Sequence, residues 1–327
     1  MKFYEQLSGH TPLIRIDYRL DGRPGSVFAK LESFNLSGSI KDRVAARILA
    51  RAEETGTLRP GRPLVEVTSG NTGIAFAALG ALTGHPVHIF MPDHLSLERR
   101  RLLEMYGARL HLVRPEEGGF QGALRLGREA AREMGAFQPL QFENEENVLA
   151  HFHTTAAEIE AELPQVRAFA AGVGTGGTLM GVARRLRPRG VFIAALEPSA
   201  APLLQGGRVI GPHKIEGIGD DFIPPIVDRR LLDGAMSIQD GDAVLMAARL
   251  ARELGLGVGI SSGANLLGSI LLDSQGLGPV ATVFADDNKK YLSTSLADPA
   301  PAREDFLSPR VELITWRRVG SAFPPAG

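Results

Sequence analysis

The sequence has no cysteine, no long apolar run and few lysines. Since none of the 327 residues is cysteine, disulfide bonds, thiolate catalysis and cysteine-ligated metals are excluded. A formal net charge of −1 indicates neither a nucleic-acid-binding surface nor an acidic tail. No secretory signal or membrane span is predicted, because the first residues lack an apolar core and no apolar run is long enough. We expect a cytoplasmic protein that binds neither nucleic acid nor membranes.

The chain has six lysines against 30 arginines, and one lysine occupies an unusual place. Lys41 lies in the stretch SGSIKDR (37–43), where a helix over 39–54 is predicted to begin. On a helical wheel at about 100° per residue, Lys41 falls in the apolar sector, close to Ile48. Burial and the positive helix N-terminus predict a lowered pKa for its amine, as a nucleophile requires. The alternative is a half-buried lysine whose ammonium reaches solvent. The opposite, charged sector of the wheel holds Arg43, Arg47, Arg51 and Glu54.

Three turns rich in Gly, Ser and Thr precede predicted helices. They are TSGNTG (68–73), GVGTGGT (172–178) and SSGAN (261–265). Free backbone N–H groups at a helix N-terminus bind anions, so the first two turns predict sites for a carboxylate and a phosphate. Together with a nucleophilic lysine, these sites favour pyridoxal phosphate acting on an amino acid.

A nicotinamide-dependent dehydrogenase is the alternative from another class of enzyme. Gly172, Gly174 and Gly177 match the pattern G-x-G-x-x-G. Glu197 ends the next predicted strand, where dinucleotide-binding folds keep their ribose-binding acid. However, the extra hydroxyl and N–H donors in this turn suit a terminal phosphate at least as well as a diphosphate. The dehydrogenase also gives no role to Lys41.

Short β-branched segments alternate with helical periods along most of the chain. This alternation predicts parallel sheets covered by helices on both faces, and the length suggests two domains. Strands are predicted at 26–32, 63–68, 86–91, 108–113, 139–142, 166–172, 191–197 and 279–285. Helices are predicted at 39–54, 71–83, 96–105, 119–134, 148–162, 177–187, 240–254 and around 262–273. The Gly- and Pro-rich segment 198–234 is expected to be an ordered loop.

Eight stretches match, in order, the motifs of one enzyme family. They are GHTPLIRI (9–16), KLESFNLSGSIKDR (30–43), TSGNTGIA (68–75), LQF (140–142), GVGTGGT (172–178), GPHKIEGIGDDFIP (211–224), SSGAN (261–265) and KYLST (290–294). From residue 4 to about 296 the chain resembles the cysteine synthase (O-acetylserine sulfhydrylase) and cystathionine β-synthase family of fold-type II pyridoxal-phosphate enzymes.

The resemblance implies a fold like that of the tryptophan synthase β-subunit. Two three-layer α/β domains with largely parallel sheets would hold pyridoxal phosphate in the cleft between them. A smaller, mobile domain is expected over 41–146 and a larger cofactor-binding domain over 1–40 and 147–300. Residues 301–327 are expected to form a C-terminal extension.

The resemblance also implies a role for each matched residue. Lys41 carries the cofactor as a Schiff base, and it removes and returns the Cα proton. Asn71 is the hydrogen-bond partner of the cofactor's 3′ oxygen, and Ser262 is that of the pyridine nitrogen. The cofactor phosphate is held by Gly174, Thr175, Gly176, Gly177 and Thr178. The substrate carboxylate is held by Thr68, Ser69, Gly70, Thr72 and Gln141.

The implied reaction is a β-replacement on a serine-derived amino acid. The first expectation is O-acetyl-L-serine plus sulfide giving L-cysteine plus acetate. The alternatives are a cysteine hydroxyl lyase, which releases sulfide and forms serine, and a β-synthase that forms cystathionine or lanthionine. A homodimer is also implied, and a serine acetyltransferase is a candidate partner.

Asp220 and Asp221 depart most from the family pattern. Cysteine synthases usually carry small residues there, whereas cystathionine β-synthases carry a tyrosine followed by aspartate. In the family this loop borders the substrate entrance, so a carboxylate here would repel bisulfide. It could act as a base towards water or bind the ammonium of an amino-acid nucleophile. Two solvated loop acids are the alternative. The stretch DDNKK (286–290) also departs from the usual cysteine synthase sequence.

The remaining distinctive residues are interpreted as structural. His151 and His153 alternate on a predicted helix, which is a poor spacing for one metal ion, and no metal site is expected. Trp316 is interpreted as a residue that packs against the core or a second subunit.

Overall fold

The computed structural model describes residues 2–68, 70–93 and 96–320, which form ten β-strands and nine α-helices. The strands are β1 (Leu13–Leu20), β2 (Arg23–Leu31), β3 (Leu64–Val67), β4 (Val87–Pro92), β5 (Arg109–Val113), β6 (Ala168–Gly172), β7 (Phe192–Pro198), β8 (Gly234–Ile238), β9 (Val280–Phe284) and β10 (Val311–Arg318). The helices are α1 (Lys41–Glu54), α2 (Asn71–Thr83), α3 (Leu97–Met105), α4 (Gly119–Met134), α5 (Glu145–His153), α6 (Thr155–Glu162), α7 (Gly177–Leu186), α8 (Asp240–Leu254) and α9 (Ile260–Ser274).

The strands form two sheets. The larger sheet has the order β10-β1-β2-β9-β6-β7-β8, and only the pairings of β1 with β10 and with β2 are antiparallel. The smaller sheet, β3-β4-β5, is parallel throughout. The predicted fold class, α/β with largely parallel sheets, is therefore confirmed.

The inner strands β4, β6 and β9 are buried on both faces, because successive side chains of a strand point to opposite faces and helices cover each face. Leu64 of β3 belongs to a core shared with Ile48 of α1, whereas Val65 belongs to a core shared with Ala131 of α4. The larger sheet is covered in the same way, by α8 and α9 on one face and α7 on the other. Within the described ranges, no helix has the length and apolar character needed to cross a membrane.

The predicted strand over 139–142 is wrong. Leu140 adopts a left-handed backbone conformation (φ 53°), and its carbonyl accepts the N–H of Glu143 at 2.9 Å. The chain therefore turns here. The Gln141 side chain points back to the smaller sheet, where its Nε2 donates to the Val67 carbonyl at 2.9 Å.

Two further differences concern which helices and strands form. The single helix predicted over 148–162 is two helices, α5 and α6, because the backbone of Thr154 (φ −116°, ψ −77°) breaks the helical geometry. Strands β1, β8 and β10 are absent from the prediction. Trp316 of β10 lies opposite Ile16 of β1, and its Nε1 donates to the Leu254 carbonyl at 2.9 Å. This agrees with its interpretation as a packing residue.

Candidate active site

One cleft collects most of the residues that the sequence predicts for the site. It has a volume of about 920 Å³, part of it open to solvent, and it lies where β3, β6 and β9 end. Predicted residues that line it are Lys41, Thr68, Asn71, Thr72, Gln141, Gly174, Thr175, Gly176, Thr178 and Asp220. Gly70, Gly177 and Ser262 are immediate chain neighbours of lining residues, and Asp221 is exposed. Ser69 lies outside the described residues.

Lys41 is the first residue of α1 and is half-buried in the cleft. The Ile40 N–H before it donates to the Ala285 carbonyl at 2.8 Å, which ties the helix start to the end of β9. Burial lowers the pKa of Lys41, and the charges of Asp286 and Asp220 partly oppose this shift. A lowered pKa increases the unprotonated, nucleophilic fraction of the amine, as predicted.

Arg43, which the wheel places in the charged sector, is fully buried instead. Its Nε donates to Glu32 Oε2 at 2.6 Å, and its Nη1 donates to Glu158 Oε1 at 2.6 Å. Lys30 Nζ contacts Glu158 Oε2 at 2.8 Å. A wheel places a side chain on a helix face but does not reveal that Glu32, which follows β2, and Glu158 of α6 contact Arg43 on that face. This buried charge cluster holds the first turn of α1 in place at Arg43, two residues after Lys41.

The turn before α2 is held by a short chain of hydrogen bonds. The Gly70 N–H donates to Thr68 Oγ1 at 3.0 Å, and Thr72 Oγ1 donates to Gln141 Oε1 at 2.6 Å. Gln141 in turn donates to the Val67 carbonyl. Since Asn71 and Thr72 line the cleft, the N-terminus of α2 faces it, and this end of a helix favours an anion.

A second helix N-terminus faces the cleft at α7. Gly176 precedes the helix in a left-handed conformation (φ 88°), and a side chain there would also collide with Val227. A Cβ at Gly177 would collide with Asn147, whose Nδ2 donates to the Gln141 carbonyl at 2.8 Å and to Thr175 Oγ1 at 3.0 Å. The turn therefore exposes backbone N–H groups with no intervening side chain, a geometry suited to a phosphate.

Several buried polar atoms near the cleft have no hydrogen-bond partner within the described ranges. Among them are Asn71 Oδ1, Ser262 Oγ and, behind the turn before α7, Asn147 Oδ1. Buried polar groups are nearly always paired, so unsatisfied atoms at a cleft indicate a missing ligand.

Asp220 and Asp221 differ in their surroundings. Asp220 is half-buried and lines the cleft, whereas Asp221 is exposed and accepts a hydrogen bond from Gln121 Nε2 at 3.3 Å. Burial and the charge of Asp221 raise the pKa of Asp220 to about 6, against the opposing effects of His213 and Lys41. The structure thus brings one of the two acids into the site.

Comparisons with known proteins agree with this geometry. Residues 4–285 match the family model described as pyridoxal-phosphate dependent enzyme. The chain belongs to this family. A cysteine synthase from Staphylococcus aureus is 40% identical over 297 residues, which cover 89% of this chain and 95% of the relative.

Solved structures of similar enzymes cover nearly the whole chain. A hydrogen sulfide-producing enzyme from Fusobacterium nucleatum is 44% identical with a TM-score of 0.92, covering 97% of this chain and 98% of that one. An O-acetylserine dependent cystathionine β-synthase from Helicobacter pylori is 33% identical with a TM-score of 0.82, and the match covers 90% of this chain and 98% of that one. The family resemblance and the cofactor expected from the sequence are confirmed, and this pyridoxal-phosphate enzyme is of the cysteine synthase type.

The residues of the cleft fit pyridoxal phosphate. Lys41 offers an amine of lowered pKa, and the N-terminus of α7 offers an anion site. The unsatisfied atoms of Asn71 and Ser262 offer partners for polar atoms of the cofactor ring. These are the three kinds of group that the cofactor requires: an amine for its aldehyde, donors for its phosphate and partners for its ring.

Replacing Gly177 by alanine in this pyridoxal-phosphate enzyme is expected to weaken cofactor binding about tenfold, because overpacking costs about 1–3 kcal/mol. The added methyl would displace Asn147, which holds both turns. Titration of the apoenzyme with pyridoxal phosphate measures the dissociation constant. Gly211→Ala is the control, since no atom lies within 4 Å of its added Cβ. Equal dissociation constants for the two variants would contradict the assignment of this turn.

Several cleft residues of the enzyme were missed by sequence reasoning. Arg99 of α3 forms a buried ion pair with Glu216 across the cleft, and its guanidinium lies 4.6 Å from the ring centroid of Tyr291. His151 lies behind the phosphate turn, with its Nε2 3.3 Å from Thr178 Oγ1. Arg99 follows Glu98 in a charged run typical of a solvated helix, and an isolated histidine carries no positional signal. The family motifs GPHKIEGIGDDFIP and KYLST contain Glu216 and Tyr291, and the unusual stretch DDNKK contains Asp286, but the sequence gives none of the three a role.

Proposed function

We propose that this enzyme replaces the β-substituent of a serine-derived amino acid, and that its main reaction converts L-cysteine and water to L-serine and sulfide. The position of Asp220 carries the proposal, because its carboxyl group and Lys41 line one cleft. With a pKa of about 6, Asp220 is mostly ionised at neutral pH and is a better proton acceptor than an ordinary aspartate. Its negative charge also disfavours the approach of bisulfide.

Each group has a defined task in this reaction. When bound, pyridoxal phosphate supplies the electron sink that makes the Cα proton acidic and lets the β-substituent leave. Lys41 holds the cofactor, removes the Cα proton and returns it. Asn71 and Ser262 contact the cofactor ring. The phosphate is bound by Gly174, Thr175, Gly176, Gly177 and Thr178, and the substrate carboxylate by Thr68, Ser69, Gly70, Thr72 and Gln141.

The bond changes balance without an oxidant. The Cβ–S bond of cysteine breaks, and a Cβ–O bond to water forms. The sulfur leaves as bisulfide, and Asp220 accepts a proton from the attacking water and releases it to solvent, where it converts bisulfide to hydrogen sulfide. The Cα proton that Lys41 removes is returned, so cysteine and water give serine and hydrogen sulfide.

Asp220→Asn is expected to lower kcat for steady-state sulfide release from L-cysteine by about 10²–10⁴-fold, the usual contribution of a general base, since each further turnover waits for water to attack. The wild-type rate should rise with pH, with a midpoint of about 6, as Asp220 loses its proton, and the variant should lack this rise. A colorimetric sulfide assay across this pH range measures both effects.

Asp221→Asn is the matched control. It should retain sulfide release, and its midpoint should move to lower pH, because Asp221 contributes to the raised pKa of Asp220. Equal losses in the two variants would contradict a specific role for Asp220 as the base. So would a wild-type rate that does not change between about pH 5 and pH 8.

Cysteine synthesis from O-acetyl-L-serine and sulfide is the second candidate, and it is the first expectation from the sequence. The Staphylococcus aureus relative, a cysteine synthase, favours it. The two reactions share Lys41 and both anion sites and differ in the group that attacks Cβ. Because the Helicobacter pylori relative is a cystathionine β-synthase, a thiol amino acid is a third nucleophile to assay.

The proposal includes a mobile smaller domain over 41–146 that closes the cleft over the substrate. Two contacts join this domain to the loop of Asp220, and closure would make or break them. They are the Arg99–Glu216 ion pair and the Gln121–Asp221 hydrogen bond.

A homodimer, a complex with serine acetyltransferase and a cytoplasmic location also belong to the proposal. Light scattering of the holoenzyme tests the dimer, and co-purification with the acetyltransferase tests the complex.

A further inference from the structure

Asp286 is a buried carboxylate next to the cleft. It follows β9 and is 1% exposed. Its Oδ2 accepts hydrogen bonds from Asn71 Nδ2 and from the Tyr291 hydroxyl, both at 2.7 Å. Its Oδ1 is buried and has no partner within the described residues, and no ion pair of Asp286 is found there. A charge taken out of water in this way requires compensation from a nearby cation.

The contact with Asp286 determines how the Asn71 amide is oriented. An ionised carboxylate only accepts hydrogen bonds, so the amide nitrogen must face Asp286 and the amide oxygen must point away. One N–H of Asn71 is used in this bond. The second N–H remains available to a ligand in the cleft, which Asn71 lines.

Lys41 begins its helix next to the chain segment of Asp286: Ser39 pairs with Asp286 in an isolated β-bridge, and the Ile40 N–H donates to the Ala285 carbonyl at 2.8 Å. Burial lowers the pKa of Lys41, and the charge of Asp286 is the largest opposing influence, followed by Asp220. The other charged groups around the cleft leave little net charge near Lys41. Arg99 and Glu216 neutralise each other, and His151 is neutral because burial and the charges of Arg43 and Lys41 hold its pKa well below its usual value. Asp286 is also the more buried acid, so solvent and salt screen it less than Asp220.

We propose that Asp286 is a positioning residue that orients the Asn71 amide towards the cofactor and supplies the counter-charge to the Lys41 nitrogen in the holoenzyme. This inference rests on the proposed cofactor contacts of Lys41 and Asn71 but not on the identity of the nucleophile. It assigns a function to the stretch DDNKK, whose first residue is Asp286.

The visible absorption spectrum of the Asp286→Asn holoenzyme, recorded as a function of pH, tests the counter-charge. Asparagine keeps the size of the side chain and an acceptor oxygen for Asn71 and Tyr291, but it removes the charge. The pH at which the cofactor band changes should move down by about 1 unit or more, the usual effect of losing a close opposite charge. Asp286→Ser also lacks the charge and should shift the band in the same direction.

Asp287→Asn is the matched control, because the Asp287 carboxylate bonds to the Lys289 backbone N–H at 3.1 Å and lies away from Asn71. Its band should keep the wild-type pH dependence. If the cofactor bands of both Asp286 variants also keep the wild-type pH dependence, the proposal that Asp286 supplies the counter-charge is wrong. A spectral shift in enzyme that releases no sulfide from cysteine would overturn the proposed reaction while supporting this inference.

The orientation of Asn71 is tested separately by binding. In the apoenzyme, Asp286→Ser and Asn71→Ala should each raise the dissociation constant for pyridoxal phosphate. The double variant should lose less affinity than the sum of the two single losses, because part of the effect of Asp286 is exerted through Asn71. Fully additive losses would show that Asp286 does not act through Asn71.

Discussion

Lys41→Ala is expected to lower kcat/KM for β-replacement by at least about 10³-fold, because in the proposed reaction this one residue both holds the cofactor and transfers the Cα proton. Within the described part of the chain, Lys41 is the only lysine that lines the cleft. Lys290 donates its Nζ to the Gly38 carbonyl at 2.8 Å and is absent from the cleft lining, and Lys30 is held by Glu158 and Glu162. Steady-state assays with L-cysteine measure the loss.

The covalent link provides a second measurement on the same variant. Borohydride treatment of the wild-type holoenzyme, followed by digestion and mass spectrometry, should find the cofactor on the peptide that contains Lys41. Lys289→Ala is the control, since that side chain is 81% exposed. A modified peptide other than that of Lys41, or a Lys41→Ala enzyme within tenfold of wild type, would contradict the assignment.

Arg43→Met is expected to lower the free energy of unfolding by about 3–5 kcal/mol, because it leaves the buried Glu32 carboxylate without its cation and removes one of the two cations that pair with Glu158. Glu32 is fully buried, and burial alone would raise its pKa; the charge and hydrogen bonds of Arg43 outweigh burial and lower it. Glu158 behaves in the same way, and its pKa falls to about 2. Urea denaturation of the apoenzyme measures the change, and a holoenzyme comparison shows how far the cofactor offsets it.

The pH dependence of this loss identifies its electrostatic origin. A carboxyl whose pKa is lowered by folding stabilises the protein fully above its unfolded-state pKa, and this contribution is lost as pH falls through its folded-state pKa. The difference between wild type and Arg43→Met should therefore narrow as pH falls from about 4.5 towards about 2. Arg51→Ala in the same helix, where the pair with Glu54 is exposed, should change stability little. A loss in Arg43→Met no larger than in this control would contradict the account.

The sequence predicts well those features that local patterns encode. The position of Lys41 on a wheel depends only on helical periodicity, and the structure places its side chain in the cleft. The turns at 68–73 and 172–178 carry their own glycines and hydroxyls, and each begins a helix in the structure. The family motifs then relate these separate stretches to one site.

Features that depend on long-range packing could not be predicted in this way. Arg43 and Arg51 lie on the same predicted face, yet Arg43 is buried between Glu32 and Glu158, whereas Arg51 pairs with an exposed Glu54. Asp220 and Asp221 are equivalent in sequence, and only the path of the loop makes Asp220 a cleft residue. Strand β10 requires a partner at the far end of the chain, β1, so its residues alone give no clear signal.

The most direct test of the proposed function is to supply the wild-type holoenzyme with L-cysteine in ¹⁸O-labelled water and to compare the rate with that of O-acetyl-L-serine plus sulfide. We predict serine labelled with ¹⁸O at its β-hydroxyl and sulfide released in equal amount, with the larger kcat/KM for cysteine. Asp220→Asn should lose the labelled serine. Rapid cysteine formation from O-acetyl-L-serine without labelled serine from L-cysteine would contradict water as the nucleophile.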